Sequence, residues 1–177
     1  KTYVEGQGWT KYVTDGRLSG TEGSSKKLEG ISIRLSSGID GTVQYRTYTE
    51  NAGWEAWSEN GEINGKPDGT RRLEAIRIRL TGEAAEKYDI YYRVHCQDEG
   101  WLGWAKNGEK AGTMGYNLGA QAIEVKLYEK NSSEAPAQTG RSYVSADSLG
   151  AVLYQTHVQN IGWQNKSFYD GQTAGTT

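Results

Sequence analysis

Residues 53–80 read GWEAWSENGEINGKPDGTRRLEAIRIRL, and the parts of this stretch return at regular intervals along the chain. An Asn-Gly pair begins six residues after Trp54, and Gly65 follows eleven residues after it. Glu74 comes after twenty residues and opens an apolar stripe that ends in Leu80. A Gly-Trp pair starts the series four times, at the residues that we call the anchor tryptophans: Trp9, Trp54, Trp101 and Trp163. Their spacings of 45, 47 and 62 residues define three adjacent repeats and a displaced fourth.

The repeats show the two-residue alternation of β-strands and no stretch with a helical period. In the third repeat, apolar or aromatic residues occupy every second position from Ile90 to Cys96, and Asn107-Gly108 suits the two positive φ angles of a type I′ turn. We count four strands per repeat, hence about twelve short antiparallel strands in residues 1–128. The predicted fold is all-β, with a threefold pseudo-symmetric module that is β-trefoil-like or β-prism-like, plus a partial fourth repeat.

The same periodicity predicts the domain organisation. Repeats at about 1–37, 38–83 and 84–128 form one module, residues 129–150 are a flexible linker, and residues 151–177 are the partial fourth repeat. The linker is predicted from its small, polar residues without periodicity. All three apolar closing strands lie in residues 1–128, so we expect this part to fold without the remainder.

Composition and charge favour the same fold class and exclude several partners. The chain has 24 Gly, 12 Tyr and 6 Trp against one Phe and one Met, which is typical of strands and tight turns. A net charge of −2 argues against binding to nucleic acid or to an anionic membrane. The longest apolar runs are far shorter than the ~20 residues of a membrane-spanning helix, so we expect no membrane insertion. Cys96 is the single cysteine and cannot form an internal disulfide.

The strand register predicts which aromatic residues face inward. If the second hairpin turns at Asn51-Ala52, Trp54 lies opposite Thr49 on the apolar side, and the anchor tryptophans belong to the core. Three polar residues share the parity of the inward stripe, and we assign them structural, turn-holding roles: Glu29, Glu74 and Gln121. Gln121 cannot transfer a proton, which argues against catalysis at this position.

Residues three positions after the anchor tryptophans point outward in this register. The outward set consists of Tyr12, Trp57 and Trp104, the cations Lys1, Arg46 and Arg93, and the ring side chains Tyr3, Tyr48 and His95. An aromatic ring beside a cation can stack on the C–H face of a sugar while Arg or His binds hydroxyl groups. We therefore predict ligand binding at these residues. The alternative stays open that arginine stems, or neighbouring sheets, cover the rings.

Two stretches resemble a known family. Residues 154–176 begin YQTHVQNIGWQ and end DGQTAGT, and residues 72–80 read RLEAIRIRL. Both resemble the ChW repeat, the clostridial hydrophobic repeat with a characteristic tryptophan, and the resemblance extends over all four repeats. Departures are Gln121 in place of Glu, and Lys166 where Trp57 and Trp104 stand in earlier repeats. The resemblance implies a secreted or cell-surface protein of Gram-positive bacteria whose repeats serve recognition or adhesion.

Three hypotheses of function follow. No pair of carboxylates has recognisable glycosidase spacing, and His95 and His157 lack neighbouring metal ligands in the sequence, so we expect no enzyme, no metal and no cofactor. The first hypothesis is a non-catalytic surface module that binds glycans or glycoproteins through the outward residues. The second is an adhesin that recognises a host or envelope protein, for example a secreted glycoprotein or an immunoglobulin. The third is a structural spacer in a repeat array.

Overall fold

The computed structural model describes residues 1–146, 153–160, 162–163 and 168–169. The described chain is nearly all-β, which confirms the predicted fold class. The first repeat contains β1 (Thr2–Val4), β2 (Gly8–Trp9), β3 (Ser19–Gly20) and β4 (Leu28–Ile31). The second contains β5 (Thr42–Thr49), β6 (Gly53–Trp54), β7 (Ser58–Glu59), β8 (Asn64–Gly65) and β9 (Leu73–Thr81). The short helix α1 (Glu83–Lys87), which the sequence pattern did not predict, leads into the third repeat.

The third repeat contains β10 (Tyr88–Cys96), β11 (Gly100–Trp101), β12 (Ala105–Lys106), β13 (Ala111–Met114) and β14 (Ala120–Glu129). After it come β15 (Tyr143–Ser145), β16 (Leu153–Tyr154), β17 (His157–Val158), β18 (Gly162–Trp163) and β19 (Phe168–Tyr169). The second and third repeats thus have five strands, not four, because the strand that carries the anchor tryptophan is interrupted. The rest of the predicted fourth repeat lies outside the described residues.

The repeats are joined in a ring by exchange of their short strands. In residues 1–146 each repeat builds a sheet from its first and closing strands, and the next repeat adds a strand to its edge. β8 of repeat two pairs with β4 of repeat one, and β13 of repeat three pairs with β9 of repeat two. β3 of repeat one pairs with β14 of repeat three, which closes the ring. The three sheets are separate and form no continuous barrel, and the exchange of strands closes the module with pseudo-threefold symmetry.

The Asn-Gly pairs make the turns that carry the chain between these sheets. Asn107 and Gly108 have φ of 44° and 91°, as the predicted type I′ turn requires. The Glu109 N–H donates to the Lys106 carbonyl at 3.0 Å and closes the turn. β12 before the turn pairs with β10, whereas β13 after it pairs with β9. The turn therefore connects two sheets and is not the tip of a hairpin.

The exchanged strands require glycine at one position each. At Gly112, φ is +113° and a Cβ would lie 2.3 Å from the Glu74 carbonyl oxygen of the neighbouring strand. Gly65 is similar, with φ of +98° and the Glu29 carbonyl oxygen 2.5 Å from a Cβ. The regular glycine of the sequence repeat is thus explained by close approach of two backbones in a left-handed conformation.

Inward residues of the three sheets form one core around the ring. Strict alternation in β5 buries Val43, Tyr45, Thr47 and Thr49, and the same pattern in β10 buries Tyr92, Val94 and Cys96. The closing strands add apolar residues from all three repeats: Leu28, Ile31, Leu73, Ile76, Ile78, Leu80 and Ile123. Because a strand places alternate side chains on opposite faces, this alternation leaves the other face available for a site.

The closing strand of repeat one is shorter than predicted. The apolar stripe extends to Leu35, but β4 ends at Ile31, which lies opposite Thr2. In repeats two and three the corresponding closing strands stay paired through Leu80 and Leu127. A pocket of about 440 Å³ opens where the pairing of β1 with β4 in repeat one ends. Its apolar wall includes Ile33, Leu35, Ile90, Val125 and Leu127.

Part of the segment that we predicted as a flexible linker forms a strand. β15 pairs in parallel with β13, and Val144 within it is 6 % exposed. The Gly103 N–H also donates to the Arg141 carbonyl at 2.8 Å. The sequence did not predict this strand because the segment has few apolar residues. A single buried valine and backbone hydrogen bonds to an open sheet edge are sufficient to hold it.

Candidate functional site

The anchor tryptophans lie on the outer face and not in the core. Trp54 is paired with Tyr48, so our register opposite Thr49 was wrong by one residue. The two rings meet edge to face with centroids 5.6 Å apart. The same pairs recur in each repeat: Tyr3 with Trp9, His95 with Trp101 and His157 with Trp163, at 5.4, 5.3 and 5.4 Å. Trp9, Trp54 and Trp101 are half-buried, and Trp163 is 66 % exposed.

The hairpin turn explains the error, because Thr49 is paired with Gly53 and residues 50–52 form a turn of three residues, not two. In repeats two and three an extra residue follows the anchor tryptophan. Trp54 is paired with Tyr48, yet Ser58 is paired with Tyr45, so four steps on one strand match three on the other. Such a bulge shifts the alternation by one residue. Trp54 and Trp57 therefore share the outer face, although they are three positions apart and would lie on opposite faces of a regular strand. The interruption at the third repeat is the same, because Trp101 is paired with His95 and Ala105 with Tyr92.

A cation lies between the two aromatic residues of each outer face. The Arg46 guanidinium carbon is 5.0 Å from the centre of the Trp54 ring and 4.8 Å from that of Trp57. The Arg93 guanidinium carbon is 4.5 Å from the centre of the Trp101 ring and 4.8 Å from that of Trp104. We call these groups the outer strips: Lys1, Tyr3, Trp9 and Tyr12 in repeat one; Arg46, Tyr48, Trp54 and Trp57 in repeat two; Arg93, His95, Trp101 and Trp104 in repeat three.

The structure thus brings together all residues that we predicted as outward and adds the anchor tryptophans to them. In repeat one, Lys1 Nζ lies 4.8 Å from the ring centre of Trp9 and 4.9 Å from that of Tyr12. Tyr12 is 37 % exposed, and its hydroxyl is hydrogen-bonded to Ser32 at 2.9 Å. Each cation–ring contact stabilises the strip by about 0.5–1 kcal/mol at exposed positions.

A second cation, which the sequence analysis missed, covers the outer ring in two repeats. The Arg34 guanidinium carbon lies 4.2 Å from the ring centre of Tyr12, and Arg79 lies 4.2 Å from that of Trp57. Both arginines are outward residues of the apolar closing stripe, and that alternation could have indicated them. Tyr12 and Trp57 are therefore partly covered by guanidinium groups and are not open platforms, as the alternative explanation expected.

Repeat three differs because its two indoles line a cleft. The cleft has a volume of about 360 Å³ and lies between the outer strip and residues 139–144. Its lining includes Trp101, Trp104, Arg93, Glu99 and Arg141. Arg93 is held by Glu124, which accepts its Nε–H at 2.6 Å. Two aromatic rings, two guanidinium groups and a carboxylate therefore surround one space of small-molecule size.

The buried polar residues of the inward stripe hold turns of the following repeat. The Gly69 N–H donates to Glu29 Oε2 at 3.1 Å, and the Gly115 N–H donates to Glu74 Oε2 at the same distance. Both carboxylates are 2 % exposed, and burial raises the pKa of Glu29. Gln121 is 6 % exposed, and its backbone carbonyl accepts from the Thr21 N–H at 2.9 Å. The side-chain hydrogen bonds of Glu29 and Glu74 each hold a turn, whereas the Gln121 bond is made by its backbone, so the turn-holding role of its side chain stays a prediction.

Other reactive groups are also buried in the fold. Burial raises the pKa of the Cys96 thiol, which is completely inaccessible to solvent. Among the residues that the structure describes, no group of three or more His, Cys, Asp or Glu side chains is placed to hold a metal ion. No helix in the described part of the chain is long and apolar enough to cross a membrane.

The edge-to-face ring pair recurs in four copies of one sequence unit, and a family profile matches that unit. The profile of Clostridial hydrophobic W, ChW, matches residues 3–37, 48–82, 95–129 and 157–177. The chain belongs to the ChW family. Each matched ChW repeat begins at the ring residue that pairs with an anchor tryptophan. No curated protein and no solved structure matched the chain significantly.

The ChW assignment agrees with the resemblance noted from the sequence and defines the chain as a repeat-containing protein. The tryptophan of the family name is the residue that organises the outer strip. In the described ChW repeats it contacts a Tyr or His across the strand pair. Each of the first three matched ranges contains the aromatic residues of one outer strip, whereas the strip cations Lys1, Arg46 and Arg93 lie just before these ranges.

Proposed function

We propose that this ChW chain is a non-catalytic recognition module of a secreted or cell-surface protein, and that it binds glycans along its outer strips. Family membership supports a role as a repeat module. The outer strips support recognition because aromatic rings and cations recur on one face of each repeat. The observation that carries the proposal is the cleft of repeat three, where Trp101 and Trp104 line the same space.

The cleft has the chemistry that a sugar ring needs. An indole face covers the apolar C–H surface of a pyranose, and guanidinium and carboxylate groups bind neighbouring hydroxyls in pairs. Arg93 is fixed by Glu124 and by two rings, so little conformational entropy is lost when it binds a ligand. The volume of about 360 Å³ is within the ~300–1,000 Å³ of small-molecule sites.

The other repeats support additional, weaker contacts. Tyr12 and Trp57 lie at the positions of Trp104, but Arg34 and Arg79 lie over their rings. A glycan with several branches, or a densely glycosylated protein, could engage more than one strip of the same module. Linking such sites raises the overall affinity without any new contact.

A glycan array probed with the full chain tests the proposal. We expect neutral glycans to bind, and we expect Trp104→Ala to weaken this binding at least tenfold because the second wall of the cleft is lost. Trp104→Phe keeps an aromatic face and should retain part of the affinity. Ile63→Ala is the control, since Ile63 is 53 % exposed and lies outside the strips.

Thermal unfolding of every variant separates loss of binding from loss of folding. Neutral-glycan binding that is unchanged in a folded Trp104→Ala variant would contradict the site. Capture of a glycoprotein that persists after enzymatic deglycosylation would assign recognition to the polypeptide and favour the protein-binding alternative.

A further inference from the structure

Next to the outer strip of repeat two, two like charges face each other on neighbouring strands. Arg46 lies directly opposite Arg77 in the antiparallel pair of β5 and β9. Like charges at such opposing positions are unfavourable. The corresponding pair in repeat three is Arg93 and Glu124, which form an ion pair at 2.6 Å. Repeat two therefore differs from repeat three because it has Arg77 at the position where repeat three has Glu124.

A third guanidinium lies in the same place. The guanidinium carbons of Arg46, Arg77 and Arg79 are 4.8, 5.8 and 4.2 Å from the centre of the Trp57 ring. No Asp or Glu among the described residues forms an ion pair with any of the three. Since the net charge of the chain is −2, this local accumulation of positive charge does not reflect a basic composition.

The hydrogen bonds of the three arginines leave donors available. Arg77 Nε donates to the Gly108 carbonyl at 2.6 Å, and Arg79 Nε donates to Gln44 Oε1 at 2.9 Å. These bonds orient the two guanidinium groups. Arg46 Nε is buried and has no hydrogen-bond partner within the described part of the chain. Burial lowers the pKa of Arg46, and the charges of Arg77 and Arg79 lower it further.

We propose that Arg46, Arg77 and Arg79 form a binding site for an anionic group, and that this group is the sulfate or carboxylate substituent of a glycan. An oxyanion would supply acceptor oxygens to the unpaired donors and would cancel the repulsion between Arg46 and Arg77. Trp57 supports the site by holding the guanidinium planes. The glycan as carrier of the anion rests on the proposed function, whereas the anion site itself does not.

Titration of the full, ¹⁵N-labelled chain with inorganic sulfate tests the anion site alone. We expect a saturable shift of the Trp57 indole N–H signal at millimolar sulfate, with ionic strength held constant by chloride. Arg77→Glu should remove the shift because it places a carboxylate opposite Arg46, as Glu124 stands opposite Arg93. Arg17→Glu changes the net charge equally at an exposed position and should leave the shift intact.

The reciprocal variant makes the test stricter. Glu124→Arg would place two arginines opposite each other in repeat three, beside Lys126 at the position of Arg79. We expect this variant to gain a sulfate-dependent shift of the Trp104 indole signal. Thermal unfolding with and without sulfate checks that the variants fold, and sulfate should raise the melting temperature only where an opposed arginine pair is present.

Two outcomes would overturn the inference. A Trp57 signal that does not respond to sulfate, or that responds equally in Arg77→Glu, would remove the anion site. Sulfate could also bind in the expected pattern while sulfated or uronic-acid glycans bind less than tenfold more tightly than their neutral parents. That result would show that the anion bound at this site is not carried by a glycan. Neutral-glycan binding at Trp104 is measured separately, so failure of either proposal can be recognised without the other.

Discussion

Single side chains give the three similar repeats different electrostatic properties. Asp89 is the second residue of β10 in repeat three, at the position where repeat two has Thr42. Its carboxylate accepts from Lys106 Nζ and from Asn107 Nδ2, each at 2.8 Å, and from the Lys130 ammonium group. Burial by itself would raise the pKa of Asp89, but these hydrogen bonds hold it well below its usual value. The carboxylate therefore joins β10, the following turn and the residue after β14.

We expect Asp89→Asn to lower the free energy of unfolding by about 2 kcal/mol at pH 7, the usual size of a lost charge-assisted hydrogen bond. Because the folded pKa lies below the unfolded value of about 3.9, the stabilisation is complete above about pH 5. It disappears as the pH falls below about 4, where the unfolded state takes up the proton first.

Urea unfolding at pH 7, 5 and 3 measures this effect. The difference between the wild type and Asp89→Asn should be similar at pH 7 and 5 and smaller at pH 3. Asp98→Asn is the control, since Asp98 is an exposed turn residue with a φ of 61° that asparagine also adopts. A difference that grows toward low pH would show that the carboxylate does not act as an ion-pair partner.

At the level of the elements, the exchanged strands β3, β8 and β13 decide whether the ring closes. Each has a glycine whose missing side chain lets it reach the closing strand of the preceding repeat. For Gly112→Ala we expect a loss of roughly 3–5 kcal/mol, because left-handed strain and overpacking against the Glu74 carbonyl act together. Such a loss is a large part of the ~5–15 kcal/mol that stabilises a domain.

Gly53→Ala is the matched control for this prediction. Gly53 has a φ of +84°, but a Cβ there would meet nothing within 4 Å. It should cost only the backbone strain of roughly 1–2 kcal/mol. Chemical denaturation of both variants measures the difference, and equal losses would mean that close strand approach does not limit the packing of the repeats.

For the whole molecule, the ring of three repeats depends on contacts between residues far apart in the sequence. Repeat one completes the sheet of repeat three through the pairing of β3 with β14. Residues 139–145 cover the edge of β13 that is not paired with β9. Truncation after Tyr128, which the sequence suggested would cost little, removes this cover and also Lys130. A module that ends at Ala146 should therefore be more stable than one that ends at Lys130.

We expect the shorter module to lose about 1–3 kcal/mol, from exposure of Val144 and loss of the parallel pairing of β15. It should also lose neutral-glycan binding, because residues 139–144 line the cleft of repeat three. Thermal unfolding and glycan binding of the two modules measure both effects. Equal stability with unchanged binding would show that the segment after Lys130 contributes neither to the fold nor to the site.

The residues of the outer strips show how much of the candidate site could be predicted from the sequence. The residue types and their grouping around Arg46 and Arg93 followed from the spacing, as did the inward position of Glu29 and Glu74. The place of Trp54 did not follow, because a turn of three residues in place of two shifts the register by one and exchanges the two faces of the strand. Arg34 and Arg79 were missed because their contact to the rings depends on pairing across the sheet.

The sequence alone determined the repeat unit, the all-β class, the turns with positive φ and the inward stripes of the closing strands. These depend on residues that are neighbours along the chain, where backbone sterics and two-residue alternation act directly. Only the tertiary structure decided that each repeat completes the sheet of its predecessor, that β15 covers β13, and that Arg46 faces Arg77. Such pairings join residues tens of positions apart, and many registers satisfy the same local pattern until the core closes around one of them.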